Sequence, residues 1–380
     1  MRTYATLPLI LLAATTMSAA SQLIFLGTST PKNGASRGIY AVRLDPATGA
    51  LSEPVLAAGT ANPTFLTLHP NGRVLYALGE LVTAEGNPGG AVGAYTLDPV
   101  NGRLTLLNQQ PSGGGNLTHL AVDATGRALV AVSYGGGYVV SFPLEADGRL
   151  GARTGLIPLE GPLGPNKTRQ DNSHAHSATM SPDNRFVFVA DLGLDRVFAF
   201  RLEADRALLA PNDPPFITVP PGAGPRHSKF SRNGRFFYVL NEIDGSITAC
   251  AYDAARGAGE PLQHISTLPA GFKVTDSDRA AEIRIHPNGK FVYASNRGAL
   301  DSIAVFAINA DGTLKLVEIT PSGGSQPRNF ALSPDGTWLV CANRDSNNLV
   351  VFKVAPTSGR LTPSARPVTV PQAVCVLFCD

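Results

Sequence analysis

Side chains able to move protons or hold anions recur in this sequence at fixed offsets from a repeated turn. Turns of the Pro-Asn/Asp-Gly type, or relatives of it, close on Gly72, Gly126, Asn184, Gly234, Gly289 and Gly336. Eight residues before them stand Thr64, Thr118, His176, Arg226, Ala281 and Arg328, and eight residues after them stand Glu80, Tyr134, Leu192, Glu242, Arg297 and Arg344. Both offsets fall at the same end of a hairpin, so the two sets are expected to form rings around one opening. Strand positions elsewhere in the repeat are apolar or merely polar, whereas these collect His, Glu and Arg. A structural repeat needs no ionisable residue there, and converging charges are costly unless solvated or paired. One expectation is a water-filled channel with a charged rim. The sharper one is a small anionic or ester-like ligand held by Arg226, Arg297 and Arg328, because a guanidinium matches a carboxylate or phosphate with two parallel donors.

The elements that must position these residues are strands. Before each turn runs an alternating strand, such as Ile283-Arg284-Ile285-His286, and after it a more apolar one, such as Phe291-Val292-Tyr293-Ala294. A third strand follows (Ile303-Ala304-Val305-Phe306) and ends in a second hairpin, Asn309-Ala310-Asp311-Gly312-Thr313-Leu314, from which a fourth strand leaves. Gly or Asn at each turn supplies the tolerance of positive φ that a bulged or type I hairpin requires. Four antiparallel strands per unit, recurring about every fifty residues without helical periodicity, describe a propeller blade. Six full units are visible. A seventh is expected from Gln22–Ser52, which carries only later strands, paired with the C-terminal strand Ala373-Val374-Cys375-Val376-Leu377-Phe378. The predicted fold is therefore all-β, a seven-bladed β-propeller closed by its own termini, which removes the open edges that invite aggregation.

Several residues need individual readings. Arg344 follows Ala342-Asn343 as Arg297 follows Ser295-Asn296, so it is equally well placed. Glu282 lies one position off the ring of Ala281 and needs a bulge to reach the channel. His174 and His176 share a strand face and have the spacing of a metal pair. No third ligand stands at supporting spacing, so no metal is expected, and His174 is placed in a loop or behind the site. His227, next to Arg226, is expected to point the other way and pack. Asp191 and Glu80 are expected to be hydrogen-bond partners between blades. No Gly-x-Ser-x-Gly elbow and no phosphate-binding glycine loop is present, which argues against a covalent serine mechanism.

Composition narrows the class. Charged residues are 16% of the 380, the formal net charge is +2, and no Lys/Arg run occurs, so nucleic acid is not an expected partner. Arg2, the apolar run Leu7 to Ala14, and Ser18-Ala19-Ala20 form the charged, apolar and small-residue succession of a secretory signal. The run is shorter than the ~20 residues a spanning helix needs. Residues 1–20 are accordingly read as a signal peptide and 21–380 as one propeller domain, periplasmic or secreted, with no membrane insertion in the mature chain. Cys250, Cys341, Cys375 and Cys379 have irregular spacing. An oxidising compartment permits disulfides among them, in three possible pairings, although buried thiols are expected for at least two.

Certain segments carry a resemblance over essentially the whole mature chain. They are Leu26-Gly27-Thr28 with Gly38-Ile39-Tyr40, His174-Ala175-His176-Ser177, Gly224-Pro225-Arg226-His227, Asn241-Glu242, Ala281 to Gly289, Ser295-Asn296-Arg297 and Gln326-Pro327-Arg328. On these the chain resembles the seven-bladed β-propeller lactonase family, which includes one class of bacterial 6-phosphogluconolactonase and the fungal carboxymuconate lactonizing enzymes. The resemblance implies a cleft built from a His, two Arg and a Glu, which fall on His176, Arg226, Glu242 and Arg297. It implies hydrolysis of a sugar lactone without metal or cofactor. His176 or Glu242 would activate water, and Arg226 and Arg297 would hold the developing oxyanion or a substrate anion. Arg328, Arg344, Glu282 and His174 would contribute to substrate binding. The same residues would serve a muconate-type cycloisomerase, or a non-catalytic propeller that binds a sugar acid or a protein partner. A signal segment counts against a phosphorylated substrate.

Overall fold

The computed structural model describes residues 20–82, 88–364 and 366–379. The signal-peptide reading covers residues 1–20, of which all but Ala20 lie outside the described residues. Seven antiparallel sheets stand around an axis, each with four strands in line, and the last also carries a short extra strand, Val368–Thr369. A 3-10 turn at Ala204–Arg206 is the sole helical element among the described residues.

Each blade presents its first strand to the axis. These inner strands are Ala373–Cys379 in blade 1, then Leu66–Leu68, Leu117–Val122, Ala175–Met180, Pro225–Phe230, Arg279–Ile285 and Pro327–Leu332 in blades 2 to 7. Every inner strand touches the next, and Ala373–Cys379 touches those of blades 7 and 2, so the ring is closed. Closure comes from the expected terminal pairing: Gln22–Thr28 runs antiparallel to Ala373–Cys379 in the register Leu23↔Cys379 to Gly27↔Cys375. The N-terminal segment thus supplies three strands of blade 1 and the C-terminus supplies the fourth.

Packing between blades explains the apolar second strands. Their side chains are sealed between neighbouring sheets, with Tyr76, Tyr238, Tyr293, Phe25 and Phe188 fully buried. Each such side chain contributes about 1.5–3 kcal/mol of burial free energy. The tyrosines also tie blades together, their hydroxyls donating to the carbonyls of Gly148, Gly312 and Gly359 at 2.9, 3.0 and 2.8 Å. At the closing seam Trp338 takes this part, with Nε1 donating to Pro46 O at 3.0 Å. Its ring lies against Gly49, which sits at φ +75°, where a Cβ would come within 2.6 Å of the indole. Cys250, Cys341 and Cys375 are buried thiols within this packing, and burial pushes Cys250 and Cys375 up to about 12.

One backbone device recurs at the axis. In blades 3 to 7 the inner strand bulges, so that two residues oppose one on the second strand. The extra residues are Thr118, His176, Arg226, Ala281 and Arg328, the members of the first expected ring. Blade 1 has the same irregularity between Cys375 and Ala373, which makes Val374 the seventh member of the ring. A bulge breaks the period-two alternation and turns consecutive side chains toward one side. The residues that follow (Phe65, His119, Ser177, His227, Glu282, Asn329 and Cys375) form a second, buried layer that fills the axis beneath the first. His227 therefore faces the axis beside Arg226, contrary to the expectation from simple alternation. Glu282 reaches it by the bulge that its position required.

Candidate functional site

The first ring encloses a cavity of about 300 Å3 lined by Thr64, Thr118, His176, Arg226, Arg328 and Val374, with Glu80 and Arg344 at its rim and His227 in its wall. This lies at the small end of the range for small-molecule sites (~300–1,000 Å3). A neighbouring cavity of about 260 Å3 shares Thr118, His176 and Arg328 and adds Tyr134, Arg169, Glu242 and Arg297.

Glu242 is the hub. Gly224 holds φ +68°, where a Cβ would press within 2.6 Å of Ile243, and its carbonyl accepts the Glu242 backbone N–H at 2.7 Å. The Asp195 carboxylate fixes this turn by accepting from Gly222 N and Gly224 N at 2.7 and 2.9 Å. Three guanidiniums then converge on the Glu242 carboxylate. Arg226 Nε donates to Oε2 at 2.7 Å, Arg297 lies 3.2 Å from the same oxygen, and Arg169 donates to Oε1 at 2.6 Å. Burial alone would raise this carboxyl, but Arg297 and Arg226, helped by Arg169, hold it well below the usual carboxylate range. Such a carboxylate stays ionised and is a poor proton acceptor. Its work is to keep the arginines in place, since charged pairs out of water persist only when so compensated.

The arginines differ in what they leave available. Arg226 also donates to Ala281 O, and Arg297 to Ala280 O at 3.0 Å. Arg328 lines both cavities and makes no hydrogen bond or ion pair among the described residues. Burial and the neighbouring Arg226 push it down to about 10, so it remains cationic at neutral pH. It is the guanidinium best placed to receive an anion. Arg344, half-buried at the rim, is paired with Asp345 at 2.6 Å.

His176 lies 3.7 Å through Nε2 from Glu242 Oε2, and its Nδ1 is sealed without a partner. Burial and then the Arg226 charge hold it well below the usual histidine range, so the imidazole is neutral. His174 does not join it. Its ring stacks on Tyr134 at 4.2 Å, Nδ1 contacts Tyr134 O and Nε2 contacts Asp171 Oδ1, both at 2.9 Å. It supports Tyr134 from behind and lines neither cavity. Glu282 is likewise outside the cavity, fully buried one layer down against Asn329, His227 and Arg284. The structure therefore brings together His176, Arg226, Glu242, Arg297 and Arg328, sets Arg344 at the rim, and separates His174 and Glu282.

Glu80 accepts from Asn62 Nδ2 at 2.7 Å, and Asn62 Oδ1 accepts from Thr30 N at 2.8 Å, which links blades 2 and 1 as expected. Asp191 acts instead within blade 4, accepting from Ser173 Oγ, His174 N and Gly193 N at 2.5, 3.0 and 3.0 Å. Arg169 was not legible from the repeat, because it belongs to the connection between blades 3 and 4 and carries no offset. That loop is pinned by Gly164 N to Gly193 O at 2.9 Å and by Gln170 Nε2 to Leu192 O at 2.9 Å.

Comparison with known proteins identifies the family of this fold. Residues 24–378 match the family model described as "Lactonase, 7-bladed beta-propeller". A 6-phosphogluconolactonase of Bacillus subtilis is 36% identical over 361 residues, covering 93% of this chain and 97% of that one. A 6-phosphogluconolactonase of Formosa agariphila is 34% identical, covering 89% and 94%. Among solved structures, a periplasmic gluconolactonase of Pseudomonas aeruginosa superposes with a TM-score of 0.87 at 33% identity, covering 95% of this chain and 99% of that one. With the family's match running through all seven blades, the chain belongs to the seven-bladed β-propeller lactonase family.

Proposed function

We propose that this protein hydrolyses a sugar lactone in the cavity at the mouth of its axis. The observation that carries the reading is the Glu242 hub: three guanidiniums and one ionised carboxylate are fixed beside neutral imidazole and an unpaired Arg328. Lactone opening is acyl transfer to water. It needs a proton acceptor for the water and positive charge where the carbonyl oxygen becomes an oxyanion. The neutral imidazoles of the cavity suit the first need, and Glu242, saturated by arginines, does not. Arg226 and Arg328 suit the second. Arg297 and Arg169 hold Glu242 and through it the position of Arg226. The scheme routes no step through a metal or cofactor.

The substrate we favour is an unphosphorylated aldonolactone, and the location a periplasmic or secreted one. Support comes from the Arg2, Leu7–Ala14 and Ser18-Ala19-Ala20 succession and from the likeness to a periplasmic gluconolactonase. The test is a pH-stat assay with gluconolactone, its 6-phosphate and a muconolactone. Turnover of gluconolactone, lowered but measurable in His176→Phe and lost in Arg226→Ala with folding intact, is the expected result. Preference for the phosphate ester would overturn the substrate reading, and turnover of none would overturn the enzymatic one.

A further inference from the structure

The cavity wall holds two imidazoles, and they are not equivalent. The rings of His176 and His227 lie 5.4 Å apart, inclined at 69°. In each the Nδ1 atom is sealed from the cavity without a hydrogen bond, and Nε2 has no hydrogen-bond partner among the described residues. What stands near each nitrogen differs. His176 has the ionised Glu242 carboxylate 3.7 Å from Nε2. His227 has the Glu282 carboxylate 3.2 Å from Nδ1. A carboxylate favours the proton on the nitrogen that faces it. The proton of His176 is thus drawn to Nε2, on the cavity side, and that of His227 to Nδ1, away from it. His176 presents a donor to the cavity and His227 presents a lone pair.

We propose that His227, oriented by Glu282, is the catalytic base of the lactone opening, and that His176 instead donates to the developing oxyanion. This rests on the lactone-hydrolysis reading above. Water loses a proton to His227 Nε2 as its oxygen bonds the carbonyl carbon, and the carbonyl π pair moves onto oxygen. That oxyanion is met by His176 Nε2–H, Arg226 and Arg328. When the C=O bond reforms, the ring C–O bond breaks and the leaving alkoxide takes the proton back from His227. The hydroxy acid formed then ionises to solvent. Glu282 is a positioning residue, itself held by Asn329 and by the Ile283 N–H at 3.0 Å.

The groups that face His227 are Arg226 on its own strand, His176, His119, Lys229, Arg284, Arg328 and Glu282. The cations among them oppose a charged imidazole, so a base here works at neutral pH and fails only in acid. The experiment compares His227→Phe, His227→Gln, His176→Phe and Glu282→Gln by pH-resolved kinetics on gluconolactone, with thermal melts as the check of folding. Loss of kcat by about 10²–10⁴-fold in His227→Phe, with KM within a few-fold, is the size expected for removing a base. The acidic limb of kcat/KM should vanish with it, persist in His176→Phe, and shift in Glu282→Gln. Activity of His227→Phe within threefold of the parent, or an acidic limb that follows His176, overturns the proposal while leaving lactone hydrolysis standing. An inactive parent protein would instead overturn the hydrolytic reading and the proposal with it. If His227→Phe fails to fold, His227→Gln and Glu282→Gln carry the same readouts.

Discussion

Blades 2 and 3 and blades 4 to 7 use one backbone position for different ends. At the mouth of the axis blades 2 and 3 place Thr64, Thr118 and Tyr134, with Glu80 at the rim bonded to Asn62, whereas blades 4, 5 and 7 place His176, Arg226 and Arg328, with Glu242 and Arg297 from blades 5 and 6 behind them. Blades 3 to 7 share the bulge. The chemistry is therefore set by residue type on a common scaffold, and it occupies one arc of the ring. The arc of blades 2 and 3, whose one ionisable acid at the rim is Glu80, can still take part, because hydroxyls and amides suit the polyol portion of a sugar. The two arcs make different demands on stability, since only the charged one must keep its own repulsion in check.

The comparison presupposes a closed ring. Deleting residues 373–379 removes the inner strand of blade 1 and bares the edge of Gln22–Thr28, and we expect loss of the folded state, read as collapse of the β-sheet dichroism and absence of a cooperative melt. Within the charged arc, Glu242→Ala leaves Arg169, Arg226 and Arg297 without their common partner. Breaking a buried ion pair from one side costs about 3–5 kcal/mol, so the urea midpoint should fall accordingly, while Thr64→Val leaves it unchanged. Acid should act on the same arc and on His119, which blade 3 places in the buried layer beneath the cavity. His119, His176 and His227 are held well below the usual histidine range, first by burial. They stay neutral in the folded chain while the unfolded chain protonates below about pH 6.5, so folding weakens as pH falls. Each histidine contributes a slope of roughly 1.4 kcal/mol per pH unit in that window. Glu242, lowered in the folded state, adds acid lability of the same sign further down. Urea titrations at pH 7 and 5 should show this slope, and a single Phe replacement of His119 or His176 should reduce it. The smallest effect is expected on the side of blades 2 and 3. Thr118→Val removes the bond from Thr118 Oγ1 to Ala175 O at 3.1 Å, worth about 0.5–1.5 kcal/mol. Any rise in KM there should exceed the change in kcat.

Much of this could be read from residue order. The turn-based offsets select His176, Arg226, Glu242, Arg297 and Arg328 because every blade repeats the same hairpin. The terminal pairing is implied by a strand without a partner at one end and a unit lacking one at the other. The losses have physical causes. Val374 was missed because its blade is split between the termini and has no turn to count from. His227 was misdirected because alternation assumes an unbroken strand, and a bulge leaves no fixed signature in composition. Arg169 sits in a connection that belongs to no repeat. Glu242 is hydrogen-bonded to two guanidiniums and close to a third, and sequence offers no means of counting partners across blades.

The terminal pairing also makes the order of the blades along the chain arbitrary. Leu23 lies opposite Cys379, so a short linker could join the two ends and new ends could be opened in an outer hairpin, at Asp311-Gly312 for example. The axial residues would then appear in a rotated order, with Arg328 ahead of His176, yet face one another as before. Such circular permutants should keep both arcs, since what the ring conserves is adjacency in space and not succession in the gene.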